Sequence, residues 1–147
     1  MTYSPNNMGP VSTAAAGIQT TNTTGSSLNK GTPIAINSVT GDFDLVNVSS
    51  ETNSRSTFAV AFQDTDISAS LNMITSGRIE NYSTTANFGD VMYVSKTGGL
   101  TNVAPQVGVG DFVSQDWVII VGVIAKNINN PALKDLYVSI SVAGQLE

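Results

Sequence analysis

The chain has 147 residues, a formal net charge of −5, no histidine and no cysteine. Ser-His-Asp and Cys-His catalysis, disulfides and the usual structural zinc sites are therefore excluded. Six basic residues are scattered along it (Lys30, Arg55, Arg78, Lys96, Lys126, Lys134), so there is no clustered basic face to neutralise a nucleic-acid backbone.

Charged residues make up 12% of the chain, about half the usual share, while Ser, Thr and Asn together number 47. A polar but mostly neutral surface follows, with little charge repulsion to hold copies apart. The amino terminus, MTYSPNNMGP, has no basic start followed by an apolar run, so no secretory signal is expected there. The longest apolar run, Trp117 to Ala125, is too short for a membrane helix. A soluble product, made in the cytoplasm, is expected.

Of the first 30 residues, 19 are Ser, Thr, Asn, Gly or Pro, and the first charge is Lys30. So little apolar surface cannot offset the entropy of ordering, which predicts an extended arm over 1–30 and a β domain over 31–147. Isolated apolar or stiffening residues recur along the arm: Tyr3, Pro5, Met8, Val11, Ile18 and Leu28. They are the candidate contacts to a partner.

From Gly31 onward, short apolar runs are cut by turn residues: Pro33–Ile36, Phe43–Val48, Phe58–Phe62, Leu71–Ile79, Val91–Val94, Trp117–Ala125 and Leu136–Val142. They are rich in Val, Ile, Phe and Tyr, and the last alternates, Tyr137, Ser139 and Ser141 opposing Val138, Ile140 and Val142. No sustained 3.6-residue period appears, and the best helical candidate is a turn at Asn130–Lys134. The fold class expected is mainly β, a small barrel or sandwich of about seven strands.

Few motifs carry chemistry. Lys96-Thr97-Gly98-Gly99 has its lysine before the glycines and no helix after them, so it predicts a hairpin turn and no phosphate loop. Lys96 is left as at most a rim contact to a neighbouring subunit. Gly108-Val109-Gly110 lacks the third glycine and the helix of a dinucleotide site. The pairs Asp42/Asp44 and Asp64/Asp66 fall short of a calcium loop, and they read as solvated turn carboxylates. Trp117 opens the most apolar strand and reads as core or rim. The three Asn-x-Ser/Thr triplets, at Asn22, Asn47 and Asn81, are expected by chance in this composition. No catalytic, metal or cofactor residue is expected.

The second half, FGDVMYVSKTGGLTNVAPQVGVGDFVSQDWVIIVGVIAKNINNPALKDLYVSISVAGQL, resembles a β module of tailed-bacteriophage virion proteins. A Gly-Asp enters a strand at Gly89-Asp90, a glycine hairpin follows, a second strand ends in Gly122-Val123-Ile124, and an alternating strand closes the chain. KGTPIAIN from Lys30 and SGRIEN from Ser76 are of the same type. Capsid decoration (cement) proteins with small β-barrel or β-tulip folds are similar in this order of elements. The resemblance implies a non-enzymatic virion protein, acting as a trimer on the capsid surface with the major capsid protein as partner. Head-fibre or tail components that attach to host glycans are the alternative.

Overall fold

The computed structural model describes residues 17–147. The chain is mainly β, with two five-stranded antiparallel sheets packed face to face. In chain order the elements are β1 (Gly17–Thr21), β2 (Pro33–Ile36), β3 (Phe43–Leu45), a short helix α1 (Glu51–Arg55), β4 (Thr57–Ala61) and β5 (Ser70–Ile74). The second sheet follows with β6 (Ser76–Ile79), β7 (Val91–Val94), β8 (Leu100–Thr101), β9 (Trp117–Lys126) and β10 (Lys134–Gln145). Strand order is β1-β5-β4-β2-β3 in one sheet and β6-β10-β9-β7-β8 in the other.

The central strands of the first sheet, β2, β4 and β5, are largely buried on both faces. Ala35, Val60 and Ile74 point into the main core between the sheets, while their chain neighbours Ile34, Ala59, Ala61, Leu71 and Met73 fill a second cluster on the opposite face. A strand covered on both sides cannot alternate apolar with polar, which is why Phe58–Phe62 is an unbroken apolar run. Phe43 and Phe58, stacked with ring centroids 6.0 Å apart, rim the outer cluster. Leu28, bridged to Thr65, seals it at 2% exposure.

The second sheet contributes Ile79, Met92, Val94, Ile119, Val121, Ile124, Leu136 and Val138 to the main core and leaves its other face to solvent. The alternation along β10 has this cause: Leu136 and Val138 are buried, and Tyr137, Ser139 and Ser141 are exposed.

Several boundaries differ from expectation. The described residues form ten strands: the seven apolar runs supply eight of them, and β1 and β8 lie outside those runs. Leu71–Ile79 breaks at the exposed Thr75 into β5 and β6, which belong to different sheets. β1 lies within the expected arm, pairing with β5 from Gly17↔Ile74 to Thr21↔Ser70, so residues 17–30 are part of the β fold. Their anchor is Asn22, buried at 1%, whose amide donates to the Ser26 and Asp66 carbonyls while its carbonyl oxygen accepts from Thr24. The Asn130–Lys134 stretch is a turn, because the Asn127 side chain accepts from the backbone of Asn129 and Asn130 and competes with helix formation. The one helix among the described residues, α1, is capped by Ser50, whose hydroxyl accepts from Asn53 N–H. It is too short to cross a membrane.

Two glycines are set by close approach. A side chain on Gly31 would meet the Tyr82 ring at 2.6 Å, and one on Gly122 would overlap the Tyr137 carbonyl of the neighbouring strand. Gly122→Ala is expected to lower stability by about 1–3 kcal/mol or more, because backbone and not a flexible side chain must yield. The opposite sign is expected at Thr57, whose buried hydroxyl has no hydrogen-bond partner. Thr57→Val should stabilise by about 1 kcal/mol. Denaturant midpoints at constant slope check both changes.

Candidate interaction surface

The solvent face of the second sheet is built by register. Val91 of β7 pairs with Val123 of β9, Val123 with Tyr137 of β10, and Tyr137 with Arg78 of β6. One row therefore crosses four strands, apolar from β7 to β10 and ending at a guanidinium. Val91, Val123 and Tyr137 are 38%, 37% and 42% exposed. Together with Gly77, Ile120, Gly122, Val138 and Ser139 the row lines an open groove of about 580 Å³. The lining is almost wholly apolar apart from Arg78 and Ser139.

Arg78 is held at the groove's edge by carboxylates on two sides. Its Nη2 donates to Glu80 at 2.8 Å, and its Nε lies 3.8 Å from Asp135. Asp135 is fully buried and is satisfied by the Asn81 N–H at 3.0 Å and the Asn127 amide at 2.9 and 3.2 Å. A buried carboxylate with this many donors has no spare lone pair aimed at a ligand, so the cluster is structural.

A second apolar patch lies on the β8–β9 loop. Val103, Val107, Val109 and Val113 are 52%, 53%, 37% and 53% exposed, and Asp111 is the only charge between residues 102 and 115. Phe112, 3% exposed and packed in the main core, plugs the loop into the sandwich. Gly108 N–H donates to the Phe112 carbonyl, Phe112 N–H to that of Val109, and Val109 N–H to that of Gln106. The valines are thus presented from a hydrogen-bonded frame.

Asp116 closes that frame. It is 2% exposed and accepts from Lys96 Nζ at 2.5 Å, Val113 N–H at 2.9 Å and the Ser49 hydroxyl at 3.2 Å. Burial opposes its ionisation, yet the hydrogen bonds from Lys96, Val113 and Ser49 and the lysine's charge together hold its carboxyl below the usual range. Lys96 is consequently engaged inside its own chain and also donates to the Ser49 hydroxyl at 2.9 Å. Gly98, at φ 93°, makes the turn that carries it.

Of the expected partner contacts, Ile18 lies on β1 at 41% exposure, whereas Leu28 is in the core and not offered to a partner. Tyr3, Pro5, Met8 and Val11 lie outside the described residues. The acidic pairs stay apart from one another: Asp64 accepts from Lys30 N–H, and no group of three potential metal ligands occurs among the described residues. Trp117 is 7% exposed with Arg55 5.0 Å over its ring, so it is no platform for a sugar. The sequence pattern did not single out the groove or the loop valines. The phase of β10, the glycine inside Trp117–Ala125 and the charge-poor 102–115 segment are the signals that mark them.

Asp116 has a depressed carboxyl pKa, so it stabilises the fold fully above the ordinary carboxylate range and less as pH falls through its lowered value. Asp116→Asn is expected to flatten the loss of stability below about pH 4, and Lys96→Met to cost about 2–4 kcal/mol at pH 7 by stranding a buried charge. Urea unfolding at pH 7 and pH 3 checks both. Comparisons with protein-family models, with curated proteins and with solved structures give no match to this chain.

Proposed function

We propose that the protein is a structural component of a tailed-phage virion, a decoration protein that binds the outer capsid surface and ties neighbouring major capsid subunits together. The observation that carries this reading is the pair of apolar surfaces on a charge-poor exterior: the Val91–Val123–Tyr137 row and the four loop valines. Apolar patches of this kind, held by a rigid frame and rimmed by polar residues, mark surfaces that pack against other proteins. The resemblance of the chain from about residue 30 to residue 146 to virion β modules gives the class of partner.

The mechanism is bridging. Each contact loses side-chain and segment entropy and recovers it by burying apolar area, and a trimer repeats the gain through effective concentration. The β domain supplies a stiff body for this, since both faces of the first sheet's central strands are already filled. Residues 1–16, with Tyr3, Pro5, Met8 and Val11, supply a segment able to lie across a neighbour.

Capsid shells assembled from the major capsid protein of the same phage, without this protein, test the reading by co-sedimentation. Saturable binding is expected, with a stoichiometry set by the three-fold lattice positions. Val123→Asp should weaken it at least about tenfold, because a charge must then be buried in the contact. The circular dichroism of that variant should match the wild type, since Val123 is a surface position. Absence of binding at saturating protein, or binding unaffected by Val123→Asp and Val107→Asp alike, overturns the assignment.

A further inference from the structure

A polar cleft opens where loops of the two sheets meet. Its wall from the first sheet is made of the turn before β2 and the stretch after β4, which are stapled together. Leu28 and Thr65 exchange backbone hydrogen bonds of 2.8 and 2.9 Å, Gly31 N–H donates to the Ala61 carbonyl, and Lys30 N–H donates to Asp64 Oδ1 at 2.8 Å. The wall from the second sheet is the segment leaving β6. Asn81 N–H donates to the buried Asp135 and Tyr82 N–H to the Lys134 carbonyl. Lys30 Nζ joins the walls by donating to the Glu80 and Asn81 carbonyls. Both walls are thus fixed before anything binds, which spares a ligand the cost of ordering them.

The cleft has a volume of about 430 Å³ and is lined by Asn29, Lys30, Asp64, Asn81, Tyr82 and Ser83. That lies in the lower part of the roughly 300–1,000 Å³ range of small-molecule sites. One carboxylate and one ammonium cancel in formal charge, so the lining favours neither an anion nor a cation. It offers two carboxamides, a hydroxyl and a phenol, a mixture of donors and acceptors. The bond from Lys30 N–H orients Asp64, and a carboxylate has about four acceptor positions, so it can also take a pair of neighbouring hydroxyls. The Tyr82 ring is seated by Gly31, where a Cβ would lie 2.6 Å from it, and it packs against the main core. It adds apolar surface to a polar site, and the C–H groups of a sugar ring complement that surface.

We propose that this cleft binds a neutral carbohydrate of one or two rings. Asp64 accepts from vicinal hydroxyls, the Asn29 and Asn81 amides pair with others, and Tyr82 lies against the C–H groups. A purely apolar ligand would strand the carboxylate and the amides without partners, and an anion would meet Asp64. The cleft shares no lining residue with the groove on the second sheet, so carbohydrate binding and capsid contact stand or fall separately.

The test titrates the isotope-labelled full chain with the methyl glycosides of glucose, galactose, mannose and N-acetylglucosamine, followed by amide chemical shifts. The titration runs to about 20 mM, above the millimolar Kd that a small, open site supports. Saturable shifts of the Lys30, Asp64, Tyr82 and Ser83 amides are expected with at least one glycoside. Asp64→Asn keeps an acceptor for Lys30 N–H but turns the other oxygen into a donor, and should weaken binding about tenfold. Asn29→Ala should weaken it about threefold, and Val123→Asp, in the groove, should leave it unchanged. An array of bacterial surface polysaccharides separates the sources of the sugar. Array signal lost in Asp64→Asn assigns a surface-borne glycan, whereas glycoside binding with a dark array assigns a free sugar, and both uphold the site. No saturable shift with any glycoside, shifts confined to other residues, or wild-type affinity in both Asp64→Asn and Asn29→Ala overturns the proposal.

Discussion

The sandwich depends on a single continuous backbone passing from one sheet to the other at Thr75. Because β5 and β6 are one stretch of chain, Ile74 and Ile79 both point into the main core although they lie in different sheets. This sets how the sheets face each other before any other contact is made. The remaining strands of each sheet then add outward from that shared stretch, and the main core is what lies between them. The same passage turns the far side of the second sheet toward solvent, so the exposed groove is a by-product of the topology.

At the other end of the molecule, one buried carboxylate performs a comparable task for loops. Asp116 draws together the β7–β8 hairpin through Lys96, the β8–β9 loop through Val113 and the segment after β3 through Ser49. Its own carbonyl accepts from Leu146 N–H, and Gln115 N–H donates to the Leu146 carbonyl, so the C-terminal end is tied to the same point. A charge-assisted set of hydrogen bonds in a dry site supplies the order and carries a penalty if any member is lost.

How much of this was legible in the sequence follows from the range of the forces involved. Strand positions were, because Val, Ile and Phe runs cut by Gly and Asn are local signals, and β2, β7 and β9 lie close to where those runs predict. The hairpin at Gly98 was legible for the same reason. The break at Thr75 was not, since an apolar run of nine residues is equally compatible with one strand or with two in different sheets. β1 was hidden because GIQTT has one large apolar residue, and only pairing with β5 and the Asn22 hydrogen bonds hold it. The ties of Lys96 to Asp116 and Ser49 join residues 20 and 47 positions apart, beyond any local pattern. The outer-face row requires the registers of three strand pairs, which composition does not contain.

The environment of Trp117 has a practical side. It is the chain's only tryptophan, it follows Asp116 directly, its backbone N–H donates to the Val48 carbonyl, and the Arg55 guanidinium lies over its ring. A cation against the indole face and a largely dry surround both shift indole emission relative to a tryptophan in water. The molecule thus carries an intrinsic optical reporter at the junction where helix, hairpin, loop and C-terminal end converge. Loosening there is visible in fluorescence without any added label.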